Sequence, residues 1–292
     1  MMSHGLSAGT LLVTLRGEVA VETVAPGDLA LTLSGQGAAL KPVVRVEAVA
    51  LPATVRIAAG ALEPGVPIRD LVLAPGHGVA LEDEIGRRVL VAAGALVNGA
   101  TITRGPPVAG LRVVLERHEL LMADGLPAES WPPAGAVPVA GRLDGAAAYG
   151  LHAALLAVAQ EAGHRLTEAA ELEVMCGAAA AERIDDCLFI LPPGTGTVIL
   201  RSRRFTPADT DPAGGDTREL GVCVTGILLD GIAINLGGPV CGSGFLPLEG
   251  TGWRWTDGAA TLLLPPRAAE ATLEVTLHPG LHCRYWLAPT PR

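Results

Sequence analysis

Short stretches of alternating apolar and polar residues, separated by turn sequences, run through the first 130 residues. The clearest pair lies on either side of Arg16-Gly17, and Pro26-Gly27-Asp28 closes it. Such alternation is typical of half-buried β-strands, and strands about every ten residues indicate an all-β domain. Further strands are predicted within residues 29–33, 42–49, 53–57, 70–81, 88–92, 101–103 and 110–115.

The pattern changes at Trp131, where three prolines within seven residues predict a stiff, extended connector. One helix is predicted from Ala146, with Leu151, Leu155 and Val158 on one apolar stripe. Asp144 is the candidate N-cap, and Gly163 is the candidate C-terminal residue. We expect this helix to be a spacer packed between two β domains, with a partner-binding helix as the alternative.

Strand patterns return near Glu171, and turns at Pro193-Gly194, Asp230-Gly231 and Asp257-Gly258 separate them. Many short strands with such turns predict a C-terminal β-sandwich. The predicted fold is therefore mainly β: an N-terminal β domain, a short helical joint and a β-sandwich. The predicted segments are residues 1–136, 137–165 and 166–292.

Composition and charge exclude several classes of protein. The net charge is −9, Lys41 is the only lysine, and no basic cluster indicates binding to nucleic acid or to anionic lipid. Glycines and prolines interrupt every long apolar run, so no membrane span is predicted. The N-terminus lacks the apolar segment of a signal peptide, which makes a cytoplasmic location the default and leaves export by another route open.

The candidate metal ligands and thiols have simpler explanations. The five cysteines contain no CxxC spacing, so we expect reduced, partly buried thiols. Three aspartates could offer oxygen ligands to Ca²⁺, but nearby arginines favour ion pairs. The stretch from His278 to Cys283 has ligand-type side chains, but its Pro-Gly turn and the lack of a fourth ligand in the sequence argue against a metal site. No metal or cofactor is expected. The residues considered are Asp209, Asp211, Asp216, His278, His282 and Cys283, with Arg201, Arg203 and Arg218 as pairing partners.

Four patches in the first half occur in a fixed order. They are Gly9-Thr10 with Val21-Glu22 and Pro26-Gly27-Asp28; Arg69-Asp70-Leu-Val-Leu-Ala-Pro-Gly-His77; Leu96-Val-Asn98-Gly99-Ala-Thr101-Ile; and residues 116–130, with Glu-Arg-His118-Glu-Leu-Leu followed by Asp124-Gly-Leu-Pro-Ala-Glu129-Ser130. Their order and spacing resemble the bacterial Hint family, which is related to inteins and Hedgehog C-terminal domains. The resemblance implies a horseshoe-shaped β domain.

The same resemblance implies a self-cleavage site that is incomplete here. Family members cut the peptide bond before a cysteine whose thiol attacks the preceding carbonyl, which suits a good nucleophile and leaving group. That position is Gly5 in this chain, and the orienting threonine is replaced by Ala74. His77 and His118 match the family's assisting histidines. The terminal asparagine of a splicing intein has no counterpart, because the region ends at Glu129-Ser130.

Two further observations argue against cleavage. Ser7 is the nearest hydroxyl to Gly5, but a shift of two strand residues moves it about 7 Å along the chain. Only four residues precede Gly5, so we expect no upstream cargo. Structural roles are the alternative for both histidines: His77 as the holder of a turn, and His118 as a solvated or ion-paired strand residue.

The second half offers a candidate ligand-binding surface. Residues 201–286 resemble a sandwich module found with bacterial Hint proteins and glycan-handling proteins. Trp253 and Trp255 share a strand face and, with Trp286, could form a sugar-stacking platform; a core role is the alternative. The sequence predicts a non-cleaving scaffold or binding module, possibly for a bacterial surface polysaccharide or a protein partner. The alternative is an active self-processing protein.

Overall fold

The structure is a computed structural model that describes residues 4–34, 37–83, 85–143, 146–250, 252–265, 267–281 and 283–290. The chain divides into two compact units. The first comprises Met1–His164 and Ala288–Arg292, and the second comprises Arg165–Leu287. Each unit has its own apolar core, which is what a separately folding domain requires.

The described part of the first unit contains fourteen strands, one α-helix and two short 3-10 turns. The strands are β1 Leu6–Ser7, β2 Leu11–Thr14, β3 Gly17–Ala20, β4 Leu29–Ser34, β5 Gly37–Leu51, β6 Thr54–Ile57, β7 Leu71–Leu73, β8 Gly78–Glu82, β9 Arg88–Ala92, β10 Ile102–Gly105, β11 Val108–Leu115, β12 Leu120–Ala123, β13 Leu126–Glu129 and β14 Gly141–Arg142. The 3-10 turns span Val21–Thr23 and Ala93–Leu96, and the helix α1 spans Ala146–Glu161.

These strands form one continuous sheet in the order β10-β6-β7-β1-β11-β5-β4-β2-β12-β13-β8-β9-β14, with β3 on β2. All neighbours are antiparallel except β14, which runs parallel to β9. The strand predicted within residues 42–49 is longer in the structure, where β5 begins at Gly37 and runs to Leu51. The order places β1 between β7 and β11, so this short strand has a neighbour on each side and is not an edge strand.

The helix α1 belongs to the first unit. Its buried positions include Ala148, His152, Leu155 and Ala159, whereas the predicted stripe residue Val158 is only half-buried. His152 Nε2 lies 3.2 Å from the Val97 carbonyl oxygen. The helix therefore covers the first core rather than acting as a bare spacer. Gly163 follows its end with φ +93°, as predicted, and the candidate cap Asp144 lies outside the described residues.

The described part of the second unit contains thirteen strands and two 3-10 turns. The strands are β15 Arg165–Thr167, β16 Glu173–Cys176, β17 Ala179–Ala180, β18 Glu182–Arg183, β19 Leu188–Leu191, β20 Thr197–Arg201, β21 Cys223–Leu229, β22 Ile232–Ala233, β23 Phe245–Glu249, β24 Trp253–Thr256, β25 Ala259–Leu263, β26 Ala271–Leu277 and β27 Tyr285–Leu287. The turns span Pro207–Asp209 and Pro212–Gly214.

Two sheets build the core of the second unit. One has the order β17-β16-β20-β25, and the other has β18-β19-β26-β21-β24-β23 with β22 on β21; β15 and β27 form a separate pair. Val198 and Leu262 of the first sheet and Phe189 and Val275 of the second belong to one apolar cluster. Both sheets therefore contribute side chains to one core. The mainly β fold class is confirmed.

Among the described residues, no helix is long and apolar enough to cross a membrane.

Candidate functional site

Four segments of the first unit converge on the carboxylate of Glu129 at the end of β13. They are His4 before β1, the turn from His77 to Gly78 that opens β8, His118 before β12, and Arg142 of β14. The sheet order brings them together, because β13 lies between β12 and β8, and β9 carries β14. The site is therefore a product of strand pairing between distant parts of the sequence.

Glu129 is 2% exposed, and both of its carboxylate oxygens are occupied. Oε1 accepts the Gly78 main-chain N–H at 2.6 Å, and Arg142 Nη2 donates to both oxygens at 2.8 and 2.6 Å. A Cβ on Gly78 would lie 2.8 Å from Oε1, so glycine is required for this approach. His4 Nδ1 lies 3.3 Å from Oε1.

His118 completes the shell around Glu129. The Val139 N–H donates to His118 Nδ1 at 3.3 Å, which assigns the ring proton to Nε2. His118 Nε2 therefore donates to Glu129 Oε2, 3.1 Å away. The ring is 6% exposed, so His118 is not the solvated residue of the structural prediction.

Burial opposes ionisation of Glu129 most strongly, but the surrounding donors outweigh it. The hydrogen bond from His118, the nearby His4 ring, the field of His77 and the Arg142 guanidinium together hold the pKa of this carboxyl far below its usual range. Glu129 is therefore a carboxylate at neutral pH. A buried charge in this state needs all of its partners, because removing one leaves the others uncompensated.

His77 is buried beside this carboxylate without a direct bond to it. Its Nδ1 accepts the Gly5 main-chain N–H at 3.2 Å, so the neutral ring carries its proton on Nε2. Burial lowers the pKa of His77 to about 4, although the negative charge of Glu129 opposes the shift. At neutral pH His77 is an uncharged acceptor for one particular amide.

That amide, between His4 and Gly5, is held at both ends. Arg112 Nε donates to the His4 carbonyl oxygen at 3.0 Å, opposite the contact of the Gly5 nitrogen with His77. The Arg112 guanidinium stacks 4.2 Å from the centroid of the Trp131 ring, which fixes its direction. The His4 ring is 5.1 Å from the same tryptophan.

The structure places Gly5 and Ala74 as main-chain partners beside this amide. The Ala74 N–H donates to the Gly5 carbonyl oxygen at 2.9 Å, and the His77 N–H donates to the Ala74 carbonyl oxygen at 3.0 Å. Gly5 has φ +150°, and a Cβ there would lie 3.0 Å from methyl carbons of Val49 and Leu51. The position that would carry the nucleophile is thus adapted to glycine.

Sequence reasoning found His77 and His118 but missed four residues of this site: His4, Arg112, Glu129 and Arg142. Glu129 was singled out only as the end of a motif, and Arg142 fell in the predicted connector. The Pro-rich stretch before β14 gave no signal that the chain returns to the sheet. A signal existed for His4, because it directly precedes the position matched to the family's nucleophile.

The tryptophan platform of the second unit is not formed as predicted. Trp253 and Trp255 do share one side of β24, but that side packs in a cluster with Phe205, Leu220 and Cys223. Trp255 is 7% exposed, so its ring has no free face for a sugar. Trp253 and Trp286 are half-buried. The alternative, a core role for the pair, describes Trp255.

Arginines of the second unit form ion pairs with carboxylates at its surface. Arg218 contacts Asp216 as predicted, whereas Arg201 and Arg203 contact Glu173 and Glu171. All five cysteines are free thiols. Within the described ranges, no group of three or more His, Cys, Asp or Glu side chains is placed to hold a metal ion, and His282 lies outside them.

Comparisons with known proteins agree with this description of the first unit. Residues 4–135 match a family model described as "Hint domain". No curated protein matches the chain.

Several solved structures are similar to the chain, which covers nearly their whole length. They include the bacterial intein-like domain from Clostridium thermocellum, with 18% identity, a TM-score of 0.34, and coverage of 45% of this chain and 100% of that one. The MchDnaB-1 intein has 17% identity, a TM-score of 0.32, and coverage of 42% and 98%. The gp41-1 intein has 15% identity, a TM-score of 0.30, and coverage of 43% and 98%.

The family match includes His4, His77, His118 and Glu129. The match stops before Arg142. One of the residues that bond to Glu129 therefore lies outside the matched range. The chain therefore contains a Hint/intein-like domain at residues 4–135, followed by a helix that completes its unit and by a second β unit.

Proposed function

We propose that the Hint-like domain does not cleave itself and that the chain works as a scaffold or binding protein. The observation that carries this proposal is Gly5. The amide before it is held by Arg112 and His77, but residue 5 offers no side chain to attack it. Without a nucleophile, neither contact can convert that amide into an ester or thioester.

The cluster around Glu129 also supports a structural role. Arg142 and Gly78 bond to the carboxylate directly, and His118 donates to it. Through these bonds, Glu129 at the end of β13 joins the start of β8, the segment before β12, and β14. A saturated carboxylate of this kind stabilises the fold instead of moving protons.

The second candidate is self-processing, favoured by the contact of His77 with the Gly5 nitrogen. Ser7 is the hydroxyl that would have to act, and its position argues against it. Ser7 lies in β1 opposite Gly110 of β11, and its carbonyl oxygen accepts the Thr10 N–H. The attacking side chain would thus start from a paired strand two residues beyond the held amide.

A reporter fused before residue 1 separates the two candidates. The full-length fusion is incubated at neutral pH with and without thiol or hydroxylamine, and its intact mass is followed. We expect one species with the full mass under all conditions. Release of the reporter, lost in His77→Ala and retained in a surface variant such as Arg45→Met, would establish self-processing instead.

A protein or a bacterial surface polysaccharide is the proposed class of partner for the chain. A glycan array with the full chain tests the second class, with Trp253→Ala and Trp286→Ala as variants because these two rings are half-buried. Binding that both variants abolish would assign a polysaccharide. Binding that is absent, or indifferent to both variants, would contradict a polysaccharide partner bound by these rings.

A further inference from the structure

The hydrogen bond from Arg112 to the His4 carbonyl oxygen anchors a residue of the Glu129 cluster, and it also places a charged donor on the peptide bond before Gly5. Arg112 does not contact Glu129 in the described structure; its Nε reaches past that cluster to the main chain. The register between β1 and β11 places Leu6 opposite Leu111, which puts Arg112 beside the residues that precede β1. The ring of Trp131 supports the guanidinium from one side.

A charged donor on a carbonyl oxygen withdraws electrons from the carbonyl carbon. It also stabilises the negative charge that develops on the oxygen when a nucleophile adds. On the other side of the same peptide bond, His77 Nδ1 faces the nitrogen that would become the leaving group. The Arg112 contact supplies the electrophilic half of an acyl-transfer site, and the His77 contact holds the nitrogen of the same amide in place.

We propose that Arg112 is the oxyanion-stabilising residue of a latent processing junction at His4–Gly5. A thiol at position 5 is the nucleophile that this junction lacks. The inference rests on the proposed non-cleaving function, because it assigns the absence of cleavage to the missing nucleophile. It extends that function by giving Arg112 a chemical role.

The reaction that the junction would perform is an exchange of an amide for a thioester. In a Gly5→Cys variant, the sulfur adds to the His4 carbonyl carbon and the new C–S bond replaces the C–N bond. The thiol proton ends on the freed nitrogen of position 5, which His77 faces. An added thiol such as dithiothreitol then takes the acyl group and releases the upstream segment.

The space at Gly5 sets the design of the variants. A Cβ would meet Val49 Cγ1 and Leu51 Cδ2 at 3.0 Å, and the positive φ adds strain. Val49 is half-buried and Leu51 is fully buried. Gly5→Cys is therefore made alone and together with Val49→Ala, which removes one of the two contacts without opening the core at Leu51.

The test uses the full chain with an N-terminal reporter and measures the rate of reporter release in dithiothreitol by intact mass. Circular dichroism and the fluorescence of Trp131 report on folding. We expect release from at least one of the two thiol-bearing variants. Adding Arg112→Met should slow release about a hundredfold or more, as expected for loss of an oxyanion donor.

Arg45→Met is the matched control, because Arg45 is an exposed arginine on the neighbouring strand β5 and pairs with Glu47. It should leave the release rate unchanged. Folded thiol-bearing variants that release no reporter would overturn the latent junction, and a rate unaffected by Arg112→Met would overturn the role of Arg112. Release from the unsubstituted fusion would instead overturn the proposed function.

Discussion

The first unit contains a buried ionic centre, whereas the ion pairs described above for the second unit lie at its surface. In the first unit, Glu129 is 2% exposed and joins residues from four separate segments. In the second unit, the Arg201–Glu173 pair has side-chain exposures of 59% and 46%. The first carboxylate is buried with hydrogen bonds to both of its oxygens, while the second faces solvent.

This difference indicates where the chemistry lies. Exposed pairs contribute little and tolerate substitution, whereas a buried carboxylate persists only when each partner is present. The second unit obtains its stability from an apolar core and an aromatic cluster. The first unit has, in addition, an ionic centre beside a held amide, and that centre is its distinguishing feature.

Glu129→Gln should give the largest effect. The substitution removes the charge that compensates Arg142 and weakens the contact with His118, so we expect a loss of about 3 to 5 kcal/mol in the free energy of unfolding of the first unit. Denaturant unfolding followed by hydrogen exchange of peptides from the first unit measures it. A loss below about 1 kcal/mol would show that the cluster is not a stabilising centre.

Trp255→Ala should destabilise the second unit by about 3 kcal/mol, because a buried indole leaves a cavity in its cluster. Trp253→Ala is the matched control on the same strand and should cost less, since that ring is half-buried. Thermal unfolding followed by circular dichroism measures both. Equal, small shifts would place Trp255 at the surface and revive the sugar platform.

Acid should destabilise the first unit through His77. Because the folded pKa is about 4 and the unfolded value is about 6.5, the unfolded chain binds a proton first as pH falls. The contribution of His77 to the free energy of unfolding is fully present above about pH 6.5. It decreases as the pH falls towards 4 and is constant at lower pH. We expect a loss of ~2 to 3 kcal/mol between pH 7 and pH 4.

The measurement is hydrogen exchange of the peptide covering residues 70–82 at several pH values, corrected for intrinsic exchange rates. His77→Asn should flatten the dependence between pH 6.5 and 4.5. An equally steep dependence in this variant would assign the acid sensitivity to another group. Glu129 titrates below this window, because its pKa is held far below the usual range.

Glu173→Gln should give the smallest effect, about 0.5 kcal/mol or less, because both partners of its ion pair are largely exposed. It is the counterpart of Glu129→Gln in the second unit. Denaturant unfolding at low and high salt measures the difference. A loss as large as that of Glu129→Gln would remove the contrast between the two units.

Much of the fold could be predicted because its signals are local. The Arg16-Gly17 turn, the alternating strands and the helix end at Gly163 depend on neighbouring residues alone. The buried face of α1 was less predictable, because His152 and Ala159 lie on it and neither is a strong apolar signal. The extent of β5 depends on pairing with β4 and β11, which a local pattern does not contain.

The site was predictable only in part. His77 and His118 could be found because the family pattern marks them, but Glu129 bonds to residues 11 and 51 positions away. Pairing at such separations depends on the sheet order. The burial of Trp255 could not be decided either, because period-two spacing identifies a shared face without saying whether that face meets core or solvent.

The central claim is that the amide before Gly5 is held but not cut. The most direct test is the intact mass of the unsubstituted chain carrying an N-terminal reporter, measured after prolonged incubation at neutral pH with and without dithiothreitol. The account predicts a single mass equal to that of the full fusion in both conditions. A fragment whose sequence begins at Gly5 would contradict it.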